Sequence, residues 1–150
     1  MDIAIRPACT EDIPRLCDLL ADLFARETDF EPDQGRQARG LSLLVHDQSG
    51  RSLVLVAVSR EEIVGMCSVQ TLISTAEGGP VGLVEDVIVR ADCRGQGIGA
   101  NLLDTAIAWS KTRNMSRLQF LTDRGNSPTL AFYSTCRWSP TSLICLRKHL

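Results

Sequence analysis

Three glycines, Gly95, Gly97 and Gly99, alternate through "RADCRGQGIGANLL" (90–103), where a strand-like run gives way to a helix-like one. Glycine costs a helix or strand roughly 0.5–1 kcal/mol relative to alanine, so three at one joint need a reason. Upstream, the carboxylates Glu85 and Asp86 interrupt an otherwise apolar run. Such groups are costly to bury unless something satisfies them, which makes both candidates for a cleft. Downstream stands Tyr133, the sole tyrosine of the chain, whose phenol can donate a proton at neutral pH.

A dinucleotide fingerprint needs G-x-G-x-x-G at the start of a βαβ unit. Here the third glycine comes one residue early, and the strand follows a hairpin meander. A Walker-type phosphate loop needs lysine after its last glycine, and none follows Gly99. What remains is a turn whose amides face inward at the positive end of a helix, able to hold a phosphate or pyrophosphate without lysine. The alternative is a tight turn that only packs.

The elements that would position these residues can be read from periodicity. "DIAIRPA" (2–8) alternates up to its proline as a first strand, and Thr10 then precedes "EDIPRLCDLLADLFARE". There Ile13, Leu16, Leu19, Leu20 and Leu23 follow helical spacing, with Thr10 as expected N-cap. The acidic stretch 27–35 breaks the pattern before a second helix over "RQARGLSLLVHD". Segments 51–59 and 62–74 form a hairpin, and 81–90 adds a third strand. The glycine stretch opens a helix striped by Ile98, Leu102, Leu103, Ala106 and Ile107. A strand at 116–122, a short helix at 127–136 and a last strand at 141–148 complete the reading. This is an α/β (α+β layered) chain, with a mixed, mostly antiparallel sheet flanked by helices in one domain over 1–150.

Composition narrows the function. Hydrophobic residues make up 44% and charged residues 23%, with a net charge of −2 from sixteen basic and eighteen acidic residues. No basic block stands out, which argues against nucleic-acid binding. The longest apolar runs are far too short for a bilayer, and no secretory signal is visible at the start. The expectation is a cytoplasmic protein without membrane attachment. The six cysteines lack any C-x-x-C pair and read as small buried thiols, and no metal site is expected. Cys93, beside the glycines, is the one of interest. His46 and His149 receive no chemical role.

"EDVIVRADCRGQGIGANLL" (85–103) resembles the central motif of the GNAT superfamily of acyl-CoA-dependent N-acyltransferases. The pattern R-x-x-G-x-G is carried by Arg94, Gly97 and Gly99 after a strand of form E-D-V-x-V. A second family element, Asn followed by Tyr seven residues on, falls on Asn126 and Tyr133. The close match covers roughly 81–138. Arg137 stands where the family commonly has glycine at the end of the tyrosine helix, and Ala91 where it has proline.

The resemblance implies that Arg94, Gly95, Gln96, Gly97, Ile98, Gly99 and Ala100 bind the pyrophosphate of acetyl-CoA, with Asn126 also on the cofactor side. It implies a bulge in the 81–90 strand, with the amide of Val87 or Ile88 on the thioester oxygen. Residues Val87, Ile88 and Val89 would then hydrogen-bond the pantetheine arm. The implied reaction is direct attack of a primary amine on acetyl-CoA through a tetrahedral intermediate. A primary amine with a pKa near ~10 is almost wholly protonated at neutral pH, so a base or water relay is needed. Glu85 is the candidate, sharing a strand face with Leu83, Val87 and Val89, while Asp86 on the opposite face comes second. Tyr133 would protonate the departing thiolate.

The implied acceptor is a small-molecule amine. The acids at 27, 29, 31 and 33 around Phe30 read either as a cation-seeking mouth or as a solvated loop with Phe30 packed inward. The alternative class is a non-catalytic acyl-CoA-binding sensor or interaction module. Family members often dimerise through late strands, which makes "TSLICLRKHL" the candidate edge of a homodimer.

Overall fold

The computed structural model describes residues 2–150. The chain divides into two compact units, Met1–Gln119 and Phe120–Leu150.

The first unit is built on a five-stranded sheet in the order β1-β2-β3-β4-β5. Its strands are β1 (Ala4–Pro7), β2 (Ser52–Ser59), β3 (Glu62–Ser74), β4 (Gly79–Val89) and the short β5 (Leu118–Gln119). Neighbours pair antiparallel except β4 and β5, which are parallel. The α/β expectation with a mostly antiparallel sheet holds. The β2–β3 hairpin turns on Arg60 and Glu61, both at positive φ (49° and 68°), as the right-handed twist of paired strands favours.

Three helices cover this sheet: α1 (Ile13–Phe24), α2 (Gln34–Val45) and α3 (Ile98–Thr112). Along α1, Ile13, Leu16, Cys17, Leu19 and Leu20 form one buried stripe, which joins Leu41 of α2 against Val54, Val56, Met66 and Ile88. Residues of opposite parity, among them Leu55, Ala57, Cys67 and Val69, are buried on the other face. There Leu102 of α3 accepts the Cys67 thiol at its carbonyl. Before α1 a short 3-10 turn spans Thr10–Asp12, so Thr10 is not the helix cap. Its hydroxyl instead meets His46 Nε2 at 2.8 Å. Asp33 caps α2 by accepting the Arg36 N–H at 3.0 Å.

The second unit holds α4 (Ser127–Thr135) and an aromatic cluster in which the Phe120 and Tyr133 ring centroids lie 3.7 Å apart. The strand expected at 141–148 does not form: among the described residues of this segment no ladder pairing occurs. Leu143 and Ile144 are adjacent and both exposed (78% and 65%), so the segment has no apolar face to bury in a sheet.

Candidate active site

Strand β4 departs from regular pairing at the place where its two acids stand. Glu85 pairs with Ser68 and Ile88 with Met66, so Asp86 and Val87 together oppose Cys67 alone. This is a β-bulge, and Asp86 takes the left-handed conformation at φ 55°. The extra residue reverses the alternation. Ser68 and Met66 share a sheet face, so Glu85 sides with Leu83 and Ile88, and Val89 lies on the opposite face with Gly65. The bulge implied by the family resemblance is present, and the expected grouping of Glu85 with Val87 and Val89 is corrected: that grouping applied a period of two across the bulge, which supplies an odd residue.

Beyond the bulge, β4 has a free edge. Its pairing with β5 involves only Gly82 and Leu83, so among the described residues no strand covers that edge from Val84 to Val89. Val87, Ile88 and Val89 thus sit where an extended ligand could continue the sheet.

The chain then passes through a 3-10 turn at Ala91–Cys93, with Cys93 buried beneath, into the glycine loop. Arg94 ties the loop to the strand, its Nε–H donating to the Val89 carbonyl at 2.8 Å. Burial and the neighbouring Arg26 draw its pKa below the ordinary value, with Asp22 opposing. Gly95 and Gly97 both adopt positive φ (74° and 79°), and a Cβ at either would meet no atom within 4 Å. The two glycines are required by backbone conformation and leave open space above the loop. Gly99 differs, lying inside the first turn of α3.

Gly97 caps α3, and Asn101 donates to its carbonyl at 3.0 Å as the first helical bond. Among the described residues, none of the N–H groups from Gly95 to Ala100 donates to another group. Six consecutive amides at the positive end of a fifteen-residue helix therefore stand unpaired around an open loop. That fits the requirement of a pyrophosphate, with Arg94 beside it.

The acids of the bulge differ from each other. Glu85 is exposed, whereas Asp86 is half-buried and makes no hydrogen bond or ion pair among the described residues. Its carboxyl is pushed up to about 7, first by burial, then by the negative charges of Glu85 and of Glu27 between α1 and α2. Nearby, burial and then Asp86 push the Cys67 thiol up to about 12, which leaves it inert. The reading from sequence put Glu85 before Asp86 on the family pattern E-D-x-x-V; the structure places both at the bulge. The adjacent acid pair was the available signal.

Phe30, in the acidic connection, stacks near Phe24 with ring centroids 5.4 Å apart yet stays 46% exposed. Glu85 to Ala100 are thus brought together in the first unit, while Asn126 and Tyr133 belong to the second. Asn126 caps α4, its side-chain oxygen accepting the Thr129 N–H at 3.2 Å. Tyr133 is buried, 8% exposed, and its ring centroid lies 6.0 Å from that of Trp138. Among the described residues no group of His, Cys, Asp and Glu gathers in a metal-binding arrangement, and no helix is long and apolar enough to cross a membrane.

Comparison with known proteins places this geometry in context. The acetyltransferase (GNAT) family model matches residues 13–136, running from the first unit into the second. No curated protein matches the chain by sequence. Among solved structures, a transcriptional regulator from Bacillus halodurans C-125 is 25% identical with a TM-score of 0.82, over 99% of this chain and 100% of that one. Glucosamine-6-phosphate N-acetyltransferase from Arabidopsis thaliana is 18% identical with a TM-score of 0.77, over 99% of each. A predicted acetyltransferase with acetyl-CoA from Clostridium acetobutylicum is 17% identical with a TM-score of 0.78, over 98% and 96%. The last two likenesses are of fold.

Proposed function

The chain belongs to the acetyltransferase (GNAT) family, and from that premise we propose that it moves an acetyl group from acetyl-CoA to a primary amine of a small molecule. The observation that carries the reading is the run of six unpaired amides from Gly95 to Ala100 beside the open edge of β4. Arg94 and these amides hold the pyrophosphate, and Val87 to Val89 pair with the pantetheine arm. Bound acetyl-CoA supplies an activated thioester, whose carbonyl carbon the amine attacks.

A backbone amide at Val87 or Ile88, re-aimed by the bulge, donates to the thioester oxygen as it gains charge. Donors of this type are worth ~2.7–4 kcal/mol each. Glu85, exposed beside the bulge, acts as base or orients the water that carries the amine's proton. The roles of Asn126 on the cofactor side and of Tyr133 as the acid for the leaving thiolate rest on the family spacing between them. We take residues 1–150 as one acetyltransferase domain, supported by the family match that spans both units. The proposal includes a cytoplasmic setting, no nucleic-acid partner, and a homodimer through the late segment 141–150.

A second reading is a non-catalytic acyl-CoA-binding sensor. It is favoured by the likeness to a structure named as a transcriptional regulator. Release of free CoA thiol, followed with spermidine, lysine and glucosamine as acceptors, separates the two. Amine-dependent thiol release supports the enzyme. Binding of acetyl-CoA with no release for any amine supports the sensor.

A further inference from the structure

We infer that Ser68 of β3 is a positioning residue for acetyl transfer: its buried hydroxyl, hydrogen-bonded to the Glu85 carbonyl at the start of the β4 bulge, holds the bulge so that the Val87 amide meets the thioester oxygen. The inference rests on the acetyl-transfer reading and deepens it.

The direction of the bulge amides follows from one bond. The Arg90 N–H donates to the Val64 carbonyl at 2.8 Å, toward β3. Backbone amides point alternately to the two sides of a strand, so the Ile88 N–H also faces β3, while those of Val87 and Val89 face the uncovered edge. Of the two amides at the bulge, that of Val87 is therefore the one a ligand along the edge can reach. Its aim is set by the backbone of Asp86, the residue before it, which sits at φ 55°.

Two anchors fix that backbone. After the extra residue, Ile88 pairs with Met66; before it, Glu85 pairs with Ser68. A non-glycine residue in the left-handed region persists only where its surroundings hold it there, so it relaxes when an anchor gives way. Ser68 adds to the ladder pairing a bond from its own side chain, Oγ–H donating to the Glu85 carbonyl at 3.2 Å. That hydroxyl lies in the core. Ser68 is 1% exposed and shares a sheet face with Val54 and Met66, where alanine or valine would pack with no polar atom to satisfy. Burying a hydroxyl there is costly, and what it secures is a second tie on the residue preceding the strained one. In this role Ser68 acts through Val87 and needs no contact with cofactor or acceptor.

Three variants separate aim from binding. Ser68→Ala, Ser68→Cys and Ser68→Thr are compared with wild type in acetyl-CoA consumption, with the best acceptor among spermidine, lysine and glucosamine, and in calorimetric titration with CoA. Cysteine nearly keeps the size of serine but hydrogen-bonds weakly, so it loses the tie with the packing intact. Threonine keeps the hydroxyl and suits a strand. Ser68→Ala and Ser68→Cys should lower kcat by ~10-fold or more, short of the ~10²–10³-fold that follows outright removal of an oxyanion donor. Their KM for acetyl-CoA and Kd for CoA should match the wild type. Ser68→Thr should restore most of kcat. A wild-type kcat in Ser68→Ala or Ser68→Cys overturns the inference, and so does Ser68→Thr as slow as Ser68→Ala. A matching fall of kcat and CoA affinity also overturns it, because that marks a general structural role. In each of these cases acetyl transfer stands. Wild-type protein that binds acetyl-CoA but consumes it with none of the amines overturns the acetyl-transfer reading, and the inference with it.

Discussion

At Asp12, Arg6 donates two hydrogen bonds, at 2.7 and 3.0 Å, and the Cys9 N–H donates a third at 2.8 Å. The carboxyl is nearly buried and held down at about 2, mainly by Arg6. A depressed acid contributes stability above its unfolded pKa of about 3.9, and that contribution is lost as pH falls toward 2. Asp12→Asn should therefore cost about 1–2 kcal/mol at pH 7 and progressively less toward pH 2, as urea unfolding would show. Asp86 is the reverse case. The fold raises its pKa, so native protein holds a proton that the unfolded chain has lost between about pH 4 and 7, and stability falls as pH rises through that window. Asp86→Asn should thus unfold at a higher temperature than wild type at pH 8, with the gain vanishing at pH 4; a gain equal at both pH values would contradict the assigned shift. For Tyr133, replacement by Phe should lower kcat by ~10²-fold while leaving acetyl-CoA affinity unchanged. An unchanged kcat would remove Tyr133 as the acid.

At the scale of elements, the glycine absent from the end of α4 has a visible consequence. Arg137 takes φ 63°, while its N–H donates to Ser134 and the Trp138 N–H donates to Tyr133, each at 3.0 Å. This is the helix ending that glycine serves best, made here with an arginine. Arg137→Gly should raise stability by about 1 kcal/mol, or ~2–4 °C in Tm. A fall in Tm would mean the arginine side chain contributes more than its backbone costs. The α3 joint behaves differently. There the glycines are present and their amides free, so Gly97→Ala should lower stability through the left-handed angle. It should weaken acetyl-CoA binding less than a side chain that reaches into the loop.

For the whole molecule, the sequence made legible whatever depends on local periodicity. The β3 strand at 62–74, the start of α3 at Ile98 and the stripe of α1 follow from alternation or helical spacing. Features set by long-range pairing were hidden from it. The bulge, where Asp86 and Val87 face the single residue Cys67 across the ladder, was implied by the family resemblance of "EDVIV", but the alternating pattern alone does not announce which residue is the extra one. The segment 141–148 has the β-branched and apolar composition of a strand but finds no ladder partner among the described residues. The glycine loop was legible because its need is local: positive φ at Gly95 and Gly97, then a helix. The central claim, that this loop binds the pyrophosphate of acetyl-CoA, is tested most directly by calorimetric titration of the wild type beside Gly97→Glu. The account predicts saturable binding by the wild type and none by the variant, whose added carboxylate would fill and repel the anion site. Equal binding by the two proteins, or none by the wild type, would contradict it.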